Sequence, residues 1–62
     1  MNTTIYLTRD TGTGMKIDEF ATLAEAQDAL RAYVDEDKAE GTYTVDFYEI
    51  YNTETEEVVE TA

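Results

Sequence analysis

The sequence predicts a small α+β domain of ββαββ order, on three observations. Two short segments alternate apolar and polar residues around a glycine-bearing turn, one segment repeats apolar residues at helical spacing behind a capping box, and a β-rich tail is broken by an Asn-Thr-Glu-Thr turn. No composition shift, linker or internal repeat divides the chain, so residues 1–62 form a single acidic domain.

Thr4-Ile5-Tyr6-Leu7-Thr8 is rich in β-formers and alternates, with Ile5 and Leu7 on one face. Asp10-Thr11-Gly12-Thr13-Gly14 supplies turn residues, and its two glycines are free to take positive φ. Met15-Lys16-Ile17-Asp18 resumes the alternation with Met15 and Ile17 inward, closing a hairpin over a loop of about five residues. Thr22-Leu23-Ala24-Glu25 is a capping box: the Thr22 hydroxyl accepts from the Glu25 amide, and the Glu25 carboxylate reaches back to the Thr22 amide. The helix it starts carries Leu23, Ala26, Leu30, Tyr33 and Val34 on one face, with Phe20 covering its entrance. Gly41 is its left-handed stop.

The segment from Tyr43 to Tyr51 is strand-like, but its inward set changes phase between Val45 and Phe47 on one side and Tyr48 and Ile50 on the other. A β-bulge near Phe47 reconciles the two phases. Asn52-Thr53-Glu54-Thr55 is a turn and Glu57-Val58-Val59-Glu60 a short final strand. The simplest assembly is an antiparallel sheet ordered 2-1-3-4 with the helix packed on one face.

Absent residue types bound the chemistry. The chain has no His, Cys, Ser or Trp, which removes Ser-His-Asp and Cys-His nucleophilic machinery, thiolate zinc sites and any histidine base. Among fifteen acids some carboxylate pair is inevitable, and with no evident cleft the chain does not read as an enzyme. Gly12-Thr13-Gly14 lacks the lysine of a Walker loop and the surroundings of a dinucleotide fingerprint. Asp35-Glu36-Asp37 with Glu40 is dense in hard oxygen ligands, yet counting from Asp35 puts Ala39 fifth and Glu40 sixth, where an EF-hand needs a ligand and a glycine. A solvated helix end is the better reading, and no metal or cofactor is called for.

Met1-Asn2-Thr3-Thr4-Ile5 shows neither a basic nor a long apolar region, and no apolar run approaches the roughly 18 residues of a membrane span. With no cysteine, the chain reads as cytoplasmic, and Asn2-Thr3-Thr4 matches the Asn-x-Thr glycosylation pattern without a secretory signal. Disorder is disfavoured, because proline is absent, seven residues are Tyr or Phe, and two periodicities are maintained.

Charge is the functional clue. Fifteen Asp and Glu stand against four Lys and Arg, a net charge of -11, where a magnitude of about 2–8 suffices for solubility. Direct binding to nucleic acid or anionic membrane is disfavoured, since both are polyanions. On the helix Asp28 and Asp35 oppose the apolar face, while Asp35, Glu36, Asp37 and Glu40 crowd the last turns, where the helix dipole favours cations. Glu54, Glu56, Glu57 and Glu60 form a second set on the C-terminal hairpin. These nine acids are the candidate partner-binding residues, carboxylates on a rigid scaffold in place of DNA phosphates.

Its small size, lack of cysteine, ββαββ pattern around Phe20-Ala21-Thr22-Leu23-Ala24-Glu25-Ala26, and acid runs Asp35-Glu36-Asp37 and Glu54-Thr55-Glu56-Glu57 resemble phage-encoded acidic inhibitors, notably DNA-mimic anti-CRISPR proteins. The resemblance implies a basic nucleic-acid-binding target, a Cas effector or its DNA-recognition subunit, engaged in the host cytoplasm by a monomer or weak homodimer. The alternative is a small structural or adaptor domain, dimeric through its open sheet face or edge, whose charge serves solubility. The mimic expects a contiguous negative surface joining the helix C-terminus to one hairpin, and the adaptor expects scattered charge with a tyrosine-rich apolar patch.

Overall fold

In the computed structural model, which describes residues 4–62, β1 (Tyr6–Asp10), β2 (Lys16–Phe20), α1 (Leu23–Glu40), β3 (Tyr48–Asn52) and β4 (Glu57–Thr61) follow in chain order. The strands form one antiparallel sheet ordered β2-β1-β3-β4, as the sequence predicts. Helix α1 packs across β1, β2 and β3. Asn2 and Thr3 of the glycosylation pattern lie outside the described residues.

Local chemistry sets the helix ends. Thr22 is extended, and its hydroxyl oxygen accepts from the Glu25 amide at 3.2 Å. The Glu25 carboxylate closes the box on the Thr22 hydroxyl, at 3.0 Å, rather than on the Thr22 amide. At the other end Gly41 takes φ 75°, and the amides of Gly41 and Thr42 return to the carbonyls of Lys38 and Asp37 at 3.2 and 2.8 Å. This is a Schellman closure, and a side chain at Gly41 would be strained.

The core is small. Ala26, Leu30 and Ile50 are 0, 2 and 0 % exposed, and Tyr6, Phe20, Leu23, Tyr33 and Tyr48 pack around them. Thr8 is also fully buried, its hydroxyl 3.3 Å from that of Tyr33. The pairing of Thr8 with Ile50 and of Tyr6 with Phe20 puts Tyr6 and Thr8 on the helix side. Leu7, opposite Tyr51, therefore lies on the open face, and Ile5 shares its parity.

Two further expectations are corrected. Met15 and Ile17 do not point inward: they are 68 and 44 % exposed, because Met15 precedes the strand and a register shift between Thr8 and Arg9 takes Ile17 out of alternation. The phase change before β3 is a turn rather than a bulge near Phe47. Asp46 takes φ 58° and β3 begins at Tyr48, so Val45 and Phe47 are exposed in the connection while Tyr48 packs against the core. The irregularity within this hairpin falls instead between Ile50 and Tyr51. Beyond it, Asn52 Oδ1 accepts from the amides of Glu54 and Thr55 at 2.9 and 3.3 Å, forming the expected turn.

The antiparallel order gives the molecule two distinct ends. Asp10, the starts of β2 and β3 and the helix C-terminus share one end, since Asp10 pairs with Tyr48 and Tyr48 bonds to Asp37. Phe20, the helix N-cap and the turn after Asn52 share the other, through the pairing of Tyr6 with both Phe20 and Asn52. The eighteen-residue helix, about 27 Å long, outruns five-residue strands of about 17 Å. The result is elongated, 42 × 20 × 14 Å.

Leu30→Ala removes the largest fully buried side chain and should cost about 2–5 kcal/mol, most of the roughly 3–5 kcal/mol a core this small supplies. The expected outcome is loss of the cooperative thermal transition in far-ultraviolet circular dichroism, whereas Ala32→Ser on the exposed helix face should leave it in place.

Candidate acidic interface

Two loops and the end of α1 build the acidic end. In the β1–β2 loop the Asp10 carboxylate accepts from the Gly12 amide at 2.6 Å and the Gly14 amide donates to the Asp10 carbonyl at 2.7 Å. Gly14 has φ 73°, a conformation suited to glycine. Thr11 ties this loop to the α1–β3 connection: its amide donates to the Phe47 carbonyl at 2.9 Å, and its hydroxyl lies 2.8 Å from the Asp46 carbonyl. The fold thus carries Asp10 and Asp46 to the helix end where Glu36, Asp37 and Glu40 sit.

Tyr48 reports the electrostatics of this end. Its hydroxyl donates to Asp37 Oδ2 at 2.5 Å, and its ring packs against Tyr33 and, edge-on, Phe47, with centroids 5.4 and 4.9 Å apart. The hydrogen bond to Asp37 is the largest cause pushing the Tyr48 pKa up to about 12, followed by burial and by the negative charges of Asp37, Glu36 and Asp10. Carboxylates from β1 and α1 therefore act on one hydroxyl. Among the described residues no three carboxylates converge closely enough to hold a metal ion.

The nine acids chosen from the sequence divide among four places. Glu36, Asp37 and Glu40 belong to the acidic end, and Asp37 is also a structural acceptor for Tyr48. Asp35 and Glu60 line an open groove of about 290 Å³ between α1 and β4 with Leu30, Arg31, Val34 and Lys38, and Glu60 accepts from Gln27 at 3.0 Å. Asp28 pairs with Arg31 at 3.4 Å on the exposed helix surface. Glu54, Glu56 and Glu57 lie at the opposite end, where Glu54 accepts from Thr4 at 2.6 Å. The helix end is thus joined to the first hairpin through Asp10, and not to the C-terminal turn. Locally Asp10 reads as a turn former and Asp46 as part of a strand; tertiary pairing alone makes them part of the site.

The cations at and near this end engage other groups. Arg9 pairs with Glu49 and stacks on Tyr51 at 3.9 Å, Lys16 pairs with Glu19 at 3.2 Å, and Lys38 lies 5.1 Å from the Tyr43 ring. Among the described residues no ion pair neutralises Asp10, Glu36, Asp37, Glu40 or Asp46. No helix of the described residues is long and apolar enough to cross a membrane. Comparison with protein-family models, curated proteins and solved structures found no match.

Because the Tyr48 pKa is raised in the folded state, its contribution to stability is complete below the ordinary tyrosine range near 10 and is lost as pH climbs through about 12. Asp37→Asn should bring Tyr48 ionisation back toward the ordinary range, seen by ultraviolet absorbance titration of the tyrosinate. Salt should also report the unpaired acids: raising NaCl from about 0.02 to 1 M screens their repulsion, and the melting temperature is expected to rise by several degrees.

Proposed function

We propose that the chain is a non-enzymatic acidic inhibitor that occupies the Lys/Arg-lined nucleic-acid groove of a host-defence protein, excluding DNA by standing in for its phosphate backbone. The resemblance of the acid runs supplies the target class, a CRISPR-Cas effector or its DNA-recognition subunit in the cytoplasm. The observation that carries the reading is charge per length. Eleven net negative charges along a 42 Å long axis give one per about 3.8 Å, beside one per about 3.4 Å along a single DNA strand.

The placement of cations supports the same reading. Phosphates attract a basic groove because they are unpaired, and the acids at the helix end are unpaired likewise. Docking there releases counterions from the groove and is speeded by long-range attraction. The open sheet face gives a homodimer less support, since the Arg9–Glu49 pair lies over Tyr51 at its centre.

The test is displacement of a labelled duplex from a purified Cas effector complex, followed by fluorescence anisotropy. The wild-type protein should release the duplex, with its affinity falling about a hundredfold between 50 and 200 mM salt. Asp35→Lys, Glu36→Lys and Glu40→Lys together should weaken release at least tenfold. Asp37 is left in place because it holds Tyr48. Release unchanged by this triple reversal would exclude the helix end as the mimic.

A further inference from the structure

Six large hydrophobic side chains stand exposed among the described residues, and four of them, Met15, Ile17, Val45 and Phe47, belong to the acidic end. Met15 and Val45 are 68 and 71 % exposed, on the two loops that Thr11 ties together. Packing within the chain does not account for the exposure of Met15 and Val45, and it covers Phe47 on one side alone, where its ring meets Tyr48. Asp46, a non-glycine residue held at φ 58°, shapes the turn between Val45 and Phe47. Beside them Asp10 and Glu36 add to the negative field at Tyr48, whose ring the Phe47 ring meets edge-on.

We propose that this tip is a protein-docking surface, with Phe47, Met15 and Val45 entering an apolar recess of a basic protein while Asp10, Glu36 and Asp46 meet Lys or Arg around its mouth. Aromatic residues and Met are enriched at interface cores, where a few anchors carry most of the binding energy, and charged groups act at the rim. Charge selects the partner. A second copy would bring two sets of unpaired acids together, and anionic membranes and nucleic acid are repelled for the same reason. The basic character of the partner rests on the polyanion reading; the apolar anchoring does not.

The experiment titrates the ¹⁵N-labelled chain with two synthetic helical peptides of equal positive charge, one Lys/Leu amphipathic and one Lys/Gln without apolar residues. The Lys/Leu peptide should bind about tenfold tighter, shift the amides of Met15, Val45 and Phe47, and keep that advantage in 0.5 M NaCl. Met15→Ser with Phe47→Ser should abolish the advantage, as should Val45→Ser alone in part, while Val58→Ser with Val59→Ser on β4 keeps it. Equal binding of both peptides by the wild type, an advantage that survives the tip substitutions, or shifts centred on Leu7 and Tyr51 would overturn the proposal. So would a concentration-dependent change at the tip without peptide, which marks a second copy. Failure of the Lys/Gln peptide to bind at low salt counts against the polyanion reading and leaves the Lys/Leu comparison decisive for the tip.

Discussion

The contact of one helical turn, Ala26 to Leu30, with Ile50 at the centre of the sheet is what the remaining structure depends on. Fully burying Leu30 and Ile50 contributes about 1.5–3 kcal/mol each, and a ring of half-buried aromatics adds to it. Against this stands the mutual repulsion of a net charge of -11. The balance leaves little room for an unsatisfied polar group, and the buried Thr8 hydroxyl accordingly meets Tyr33. Tyr33 in turn packs on Tyr48, and Tyr48 binds Asp37. The small core therefore runs without interruption into the acidic end and fixes Asp37 relative to the sheet.

That continuity explains which parts of the fold were legible. The helix was readable to the residue because its signals are local: Thr22 and Glu25 at the start, Gly41 at the stop, and an apolar face with no competitor. Strand β1 was harder, since Ile5, Tyr6 and Leu7 are all apolar and period two cannot say which face is covered. Thr8, polar and fully buried, decides the parity through Tyr33, a residue far away in sequence. The segment from Tyr43 to Phe47 misled for the opposite reason. Apart from Asp46 it is composed of β-formers, but the left-handed backbone of that residue turns it out of the sheet, and Thr11 from another loop holds it there.

The candidate site divides in the same way. Glu36, Asp37 and Glu40 were visible as a run placed against the helix dipole, whereas Asp10 and Asp46 join them through pairing of β1 with β3 and through the Thr11 hydrogen bonds. The C-terminal acids looked equivalent in sequence, yet strand direction carries Glu54, Glu56 and Glu57 to the far end.

Acids at a helix C-terminus oppose its dipole by about 0.3–1 kcal/mol each, and the structure offsets that cost in two ways. The Gly41 and Thr42 amides cap the exposed carbonyls, and the Tyr48 hydroxyl donates to Asp37. The second device does more than stabilise. A lysine in place of the tyrosine would neutralise Asp37, whereas a phenol satisfies the carboxylate with a hydrogen bond and leaves its charge intact. Using a neutral donor preserves the field that a basic partner would meet, and the same tyrosine sets Phe47 edge-on at the apolar tip. Charge gives speed of encounter but little discrimination among basic proteins, while an apolar anchor of fixed geometry supplies discrimination without long-range reach. Tyr48 couples the two, so that the residue satisfying Asp37 without adding a positive charge also positions the ring that would choose among targets.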